Sequence, residues 1–85
     1  MPNTKNYSTR LRVLDQCLRS GHAYSGKELT EFINRELELR GEPTITSRTT
    51  LMDDLLNIEN EYHTNIIRKK HGRQTTYQYE DPNFS

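Results

Sequence analysis

The stretch TSRTTLMDDLLNIENEY, Thr46 to Tyr62, decides how the rest of the chain is read. Its apolar residues Leu51, Leu55, Ile58 and Tyr62 recur at i, i+4, i+7 and i+11, which lines them along one face of an α-helix. That face needs a core to cover it. The opposite face carries Thr49, Asp53, Asn57 and Asn60, with Arg48 and Thr50 beside it near the N-terminus. These are short hydrogen-bonding side chains rather than a solvating coat of Lys and Glu. Ser47, or Thr46 before it, is positioned to cap the helix by accepting from free N–H groups of the first turn. A capped helix start with orphan donors and a positive dipole suits a phosphate group. Taken alone, the stretch is an ordinary amphipathic surface helix; its neighbours change that reading.

Upstream, Gly41 and Pro43 end a preceding helix, because proline does not continue a helix and pushes the residue before it toward extended geometry. This leaves only Glu42 to Ile45 as the connection. The preceding helix starts at Ser25-Gly26-Lys27-Glu28, an S-x-x-E capping box. Leu29, Phe32, Ile33 and Leu37 are its expected buried stripe, with Glu31, Arg35, Glu38 and Arg40 outside. Two helices joined by so short a turn cross closely, as in a helix-turn-helix whose second member reads DNA. Before them, Thr4 to Ser20 places Tyr7, Leu11, Leu14 and Leu18 on one face, and Gly21 supplies the stop. Arg12, Gln16 and Arg19 make a solvated face or a backbone-facing one. His22 to Tyr24 is a short link with room for a single β-bridge.

Downstream of Tyr62 the period changes from 3.6 to 2. Asn65 to Lys70 and Gln74 to Tyr79 are rich in β-branched and aromatic residues, with His71-Gly72 as the expected turn. Thr75, Tyr77 and Tyr79 alternate with Thr76 and Gln78, so one aromatic face can close over the helices. Lys69, Lys70, His71 and Arg73 gather at the tip. The order is α+β: three helices followed by a two-stranded β-hairpin, the arrangement of a winged helix-turn-helix. One such domain spans residues 1–79, and the acidic, proline-containing residues 80–85 read as a linker.

An 85-residue chain with 31% hydrophobic and 28% charged residues supports one small core and no deep pocket. Twelve basic residues balance twelve acidic ones, so net charge does not itself argue for nucleic acid. The distribution is uneven, however. Lys5, Arg10, Arg12 and Arg19 face only Asp15 in residues 1–25, and Arg68, Lys69, Lys70 and Arg73 face no acid in residues 64–79. The single Cys17 allows no internal disulfide and reads as a small buried hydrophobe in a reducing compartment. No run approaches the ~18 apolar residues of a membrane span, and the N-terminus lacks the apolar centre of a signal peptide. A cytoplasmic protein without membrane association is expected.

Catalytic and cofactor chemistry finds no foothold. His22, His63 and His71 lie in different segments without metal-site spacing, and Asp53 and Asp54 point about 100° apart on a helix. Neither a glycine-rich phosphate loop nor a partnered nucleophile is present, so no enzyme, metal or cofactor is expected.

The chain resembles the N-terminal DNA-binding domain of WYL-domain transcriptional regulators, particularly the Bacteroidetes type, which is similar in turn to DeoR-like winged helices. Ser47, Arg48, Leu51, Asp54 and Leu55 match the recognition-helix pattern of that family, supported by LDQCLR (Leu14 to Arg19) and YQYEDPNFS (Tyr77 to Ser85). The resemblance implies a bacterial transcription regulator that places Ser47 to Asp53 in the major groove of double-stranded DNA. It further implies that Arg68 to Arg73 runs along the backbone or in a minor groove, and that a WYL sensor domain follows the linker. The candidate DNA-binding residues are therefore Ser47, Arg48, Thr49, Thr50, Asp53 and Asn57 on the helix. On the wing they are Arg68, Lys69, Lys70, His71 and Arg73. Two departures stand out: Thr49 occupies the place of a second Arg, and Asp53 a place where related winged helices often carry a basic residue. An acid facing DNA is tolerated mainly where it accepts from a cytosine N4.

The rival reading is a winged helix that binds protein. Neutral net charge and an acidic middle favour it, as do Met52 and Leu56, which flank the buried stripe and offer a homodimer seam or a domain contact. RNA binding ranks third, because Tyr77 and Tyr79 read as core rather than stacking platforms.

Overall fold

The computed structural model describes residues 4–83, with side chains described from Asn6 onward. Three helices and a small antiparallel sheet make up an α+β fold. The order is α1 (Thr4–Arg19), β1 (Tyr24–Ser25), α2 (Gly26–Leu39), α3 (Arg48–Tyr62), β2 (Ile66–His71) and β3 (Gln74–Tyr79). The expected hairpin is present, but the sheet has three strands rather than two, in the order β1-β3-β2. The link before α2 supplies the third: Tyr24 pairs with Tyr77 and Ser25 with Thr76. This ties the hairpin to the start of α2.

The second and third helices start where their capping residues require. Ser25 accepts from the Glu28 N–H at 3.1 Å, and Glu28 Oε1 accepts from the Ser25 N–H at 2.9 Å, completing the capping box. Ser47, not Thr46, caps α3, its hydroxyl accepting from Thr49 N at 3.2 Å. At the far end of α3, His63 closes the helix in the left-handed conformation, φ 53°, a place usually taken by glycine or asparagine.

The buried stripes of the three helices converge. Leu11, Leu14 and Leu18 from α1, Leu29, Ile33 and Leu37 from α2, and Leu51, Leu55 and Ile58 from α3 form the core. Ile45, Ile66, Tyr77 and Tyr79 close it. Complete burial of one such side chain is worth roughly 1.5–3 kcal/mol, so a core this small depends on nearly all of them. Phe32 departs from the expected stripe: it is 37% exposed and meets Tyr24 edge-to-face, ring centroids 5.4 Å apart. The core lies at the Leu29, Ile33 and Leu37 face, and Phe32 sits at its margin.

Two polar clamps fix the connection between α2 and α3. Asn34 donates from Nδ2 to the Ile45 carbonyl at 3.0 Å and accepts the Ile45 N–H on Oδ1 at 2.8 Å. Asn6, buried on α1, donates to the Pro43 carbonyl at 3.2 Å. The connection is thus held from both sides, and with it the position of the α3 N-terminus.

The hairpin register pairs Ile66 with Tyr79 and His71 with Gln74, which makes Gly72-Arg73 the two-residue loop. This corrects the expected His71-Gly72 turn: His71 is the last residue of β2. Gly72 has φ 66° while Arg73 is not in the left-handed region, the type II′ pattern with glycine first. The near half of β2 is buried at Ile66, and everything from Arg68 to Gln74 is exposed, so the tip stands clear of the core. The expected linker is described as far as Asn83; Phe84 and Ser85 lie outside the described residues. No helix among the described residues is long and apolar enough to cross a membrane.

Candidate nucleic-acid interface

The first turn of α3, the first turns of α2 and the start of β3 enclose a groove of about 470 Å³. Ser47 and Arg48 enter it from α3, Lys27, Thr30 and Glu31 from α2, and Arg73, Gln74 and Thr75 from the hairpin. Its floor is Ile45, Leu51, Met52 and Tyr77. Gly26 lies against this floor: a Cβ there would touch Leu51 Cδ2 at 3.4 Å and a Tyr77 ring carbon at 3.7 Å. The Tyr77 hydroxyl donates to Met52 Sδ at 3.8 Å, which places Met52 against the sheet. Met52 packs on the core and is only partly exposed, so of the two residues expected to form a dimer seam only Leu56, 53% exposed, stands open.

The candidate residues divide into groups. Ser47, Arg48 and Thr49 are exposed at the start of α3, and Asp53 is exposed one turn further on. Thr50 and Asn57, seven residues apart and so on one side of the helix, are half-buried. Asn57 lies roughly 12 Å along the axis from Thr49 and belongs to a different part of the surface. Lys69, Lys70, His71 and Arg73 are all exposed on the hairpin, but only Arg73 lines the groove. Sequence reading missed Lys27 and Thr30, which the capping box at Ser25 delivers to the same groove. The capping box marks Lys27 as a first-turn residue but carries no signal that this turn lines a groove.

Arg68 does not belong with the tip cations. Its Nη2 lies 3.1 Å from Glu59 Oε1 on α3, and its Nη1 also donates to the Ile66 carbonyl at 3.2 Å. Glu59 Oε2 accepts the Ile66 N–H at 2.9 Å. Burial pushes the Glu59 carboxyl up, but the Arg68 guanidinium and the Ile66 N–H outweigh it and hold the group below its ordinary range. Arg68 therefore fastens the base of the hairpin to α3, and its charge is largely answered there.

The remaining cations are free of such partners. None of Lys27, Arg48, Lys69, Lys70 or Arg73 enters an ion pair among the described residues. Glu31 is the one acid that lines the groove, and Asp53 is exposed on α3, so the surface is positive without being uniformly so. Among the described residues no cluster of His, Cys, Asp or Glu could hold a metal ion. Comparison with protein-family models, with curated proteins and with solved structures found no match.

Proposed function

We propose that this chain is a winged helix-turn-helix domain that binds double-stranded DNA, with α3 as the reading helix and the β2–β3 hairpin as the wing. One observation carries the reading. Ser47 and Arg48 at the capped start of α3 share a groove with Arg73 of the hairpin, so reading helix and wing present a common cationic surface. Lys69, Lys70 and His71 extend that surface along an exposed hairpin tip that contains no acid. Uncompensated cations on a protruding tip match the spaced phosphates of a duplex, and Thr49 and Asp53 project from α3 with hydrogen-bonding groups suited to base edges. The pattern of Ser47, Arg48, Leu51, Asp54 and Leu55 supports assignment to the regulators with a WYL sensor domain, in which this unit supplies the DNA output.

A protein-binding role is the second reading, favoured by Leu56 on the outer face of α3 close to Asp53. Titration against duplex DNA at two salt concentrations separates the two. DNA binding by the tip and groove cations gives a log-log salt slope of about −3 to −5, and a Lys69, Lys70 and Arg73 to Ala variant flattens it by about 2 to 3. Absence of wild-type binding at low salt would remove the DNA reading and favour the protein partner.

A further inference from the structure

We propose that the groove between α2, α3 and β3 is also a binding site for a small amphiphilic anion, an aromatic carboxylate of about the size of a two-ring acid. The groove volume of about 470 Å³ falls in the range of small-molecule sites and far exceeds the space of a single phosphate oxygen cluster. Its chemistry is divided. Ile45 and Leu51 are buried in the floor, and Met52 and Tyr77 complete an apolar surface that a bare, strongly hydrated anion gains nothing by covering.

The rim supplies the opposite preference. Lys27, Arg48 and Arg73 approach from three different elements, none with an ionic partner, against the one acid Glu31. A ligand with a flat apolar body and one negative head satisfies both parts; a neutral aromatic leaves the cations unanswered, and an inorganic anion leaves the floor wet. Gly26 adds no side chain to this lining, where a Cβ would already touch Leu51 and Tyr77. Arg48 and Arg73 are also among the proposed DNA contacts, so an occupied groove competes with the duplex. That competition rests on the DNA reading; the binding of the anion does not.

The test uses 1-naphthoate as probe, followed by two-dimensional NMR of the backbone amides, beside 1-naphthalenemethanol as its neutral counterpart and inorganic phosphate as a head without a body. Naphthoate is expected to give saturable shifts centred on Gly26, Lys27, Ser47, Arg48 and Thr75. Each of the other two probes should bind about tenfold more weakly. A Lys27→Ala, Arg73→Ala double variant, altered only at exposed positions, should lose naphthoate affinity about fivefold and leave the alcohol unchanged. Equal binding of naphthoate and the alcohol, equal binding of phosphate, or shifts centred outside the groove would overturn the site. Because the readout needs no DNA, a domain that takes naphthoate but no duplex loses the proposed function and keeps the site. A domain that takes both without competition overturns the regulatory part alone.

Discussion

Arg10 on α1 grips Asp54 on α3 with two donors, Nε to Oδ2 at 2.7 Å and Nη2 to Oδ1 at 3.2 Å, and their side chains are only 13% and 2% exposed. The pair is braced further: Arg10 also donates to Asn6 Oδ1 and lies 5.7 Å from the centre of the Tyr7 ring, whose hydroxyl donates to Glu61 on α3. Asp54 is thereby a structural residue, fixing the tilt of α3 from its inner face. Burial pushes its carboxyl up, and Arg10 opposes that shift without cancelling it.

Removing one partner strands the other. Asp54→Ala is expected to cost about 3 kcal/mol by leaving Arg10 partly buried without its anion, a large share of the stability of a domain this size. An Arg10→Met, Asp54→Leu double variant should recover most of that loss. Urea unfolding of the three proteins checks it, and equal losses in the single and double variants would show that the pair itself is the source of stability.

Asn34 is one of the two amides that hold the connection between α2 and α3, and it makes two of the three bonds. Asn34→Ala removes both bonds to Ile45 and leaves a part-buried N–H and C=O unanswered, at an expected cost of about 2 kcal/mol. Because that connection places Ser47 and Arg48, DNA affinity should fall as well, while a surface variant such as Glu38→Ala changes neither. Denaturation and DNA titration of the same samples separate the two effects.

At the end of α3 the left-handed His63 is held at the expense of backbone strain, its Cβ crowding the main chain. His63→Gly is expected to stabilise the domain by about 0.5–1 kcal/mol, raising the thermal midpoint by a few degrees. A loss of stability would mean that the imidazole supplies a contact worth more than the strain.

Acid should loosen the hairpin from α3. The Glu59 carboxyl sits lower in the folded chain than in the unfolded one, so its stabilising contribution is present above the ordinary glutamate range, near pH 4.5. That contribution is lost as pH falls through the lower folded value. Between pH 6 and pH 3 the wild type should lose more stability than Glu59→Gln, in which nothing titrates at this position. Parallel curves for the two proteins would place the acid sensitivity elsewhere.

Much of this architecture was legible because it is local. The capping box at Ser25, the stripes at Leu11, Leu14 and Leu18 and at Leu51, Leu55 and Ile58, and the alternation of Tyr77 and Tyr79 are spacing rules that neighbouring residues enforce. Phe32 was misread because periodicity reports an apolar face but not its edges; only the position of α1 and β1 decides where the core stops. Arg68 was grouped with Lys69 and Lys70 because all are cations in one run. The approach of α3 to the base of the hairpin then divided them, giving Arg68 to Glu59 and leaving the others, nearer the tip, to solvent. Lys27 was overlooked because its membership of the groove depends on β1 pairing with β3, a contact across more than fifty residues that two short residues of strand do not announce.

The arrangement at the base of the hairpin has a protective consequence. β2 is an outer strand of the sheet, and since Glu80 donates to Asn65 across the ladder at 3.0 Å, the alternation leaves the N–H and C=O of Ile66 facing outward. Those two groups are the ones that Glu59 and Arg68 occupy. A passing strand finds this part of the edge already taken by side chains, and beyond it meets Lys69 and Lys70, which would repel their own counterparts in a second copy. A hairpin can therefore project from a small domain, open to a charged ligand, without becoming a template on which neighbouring molecules polymerise.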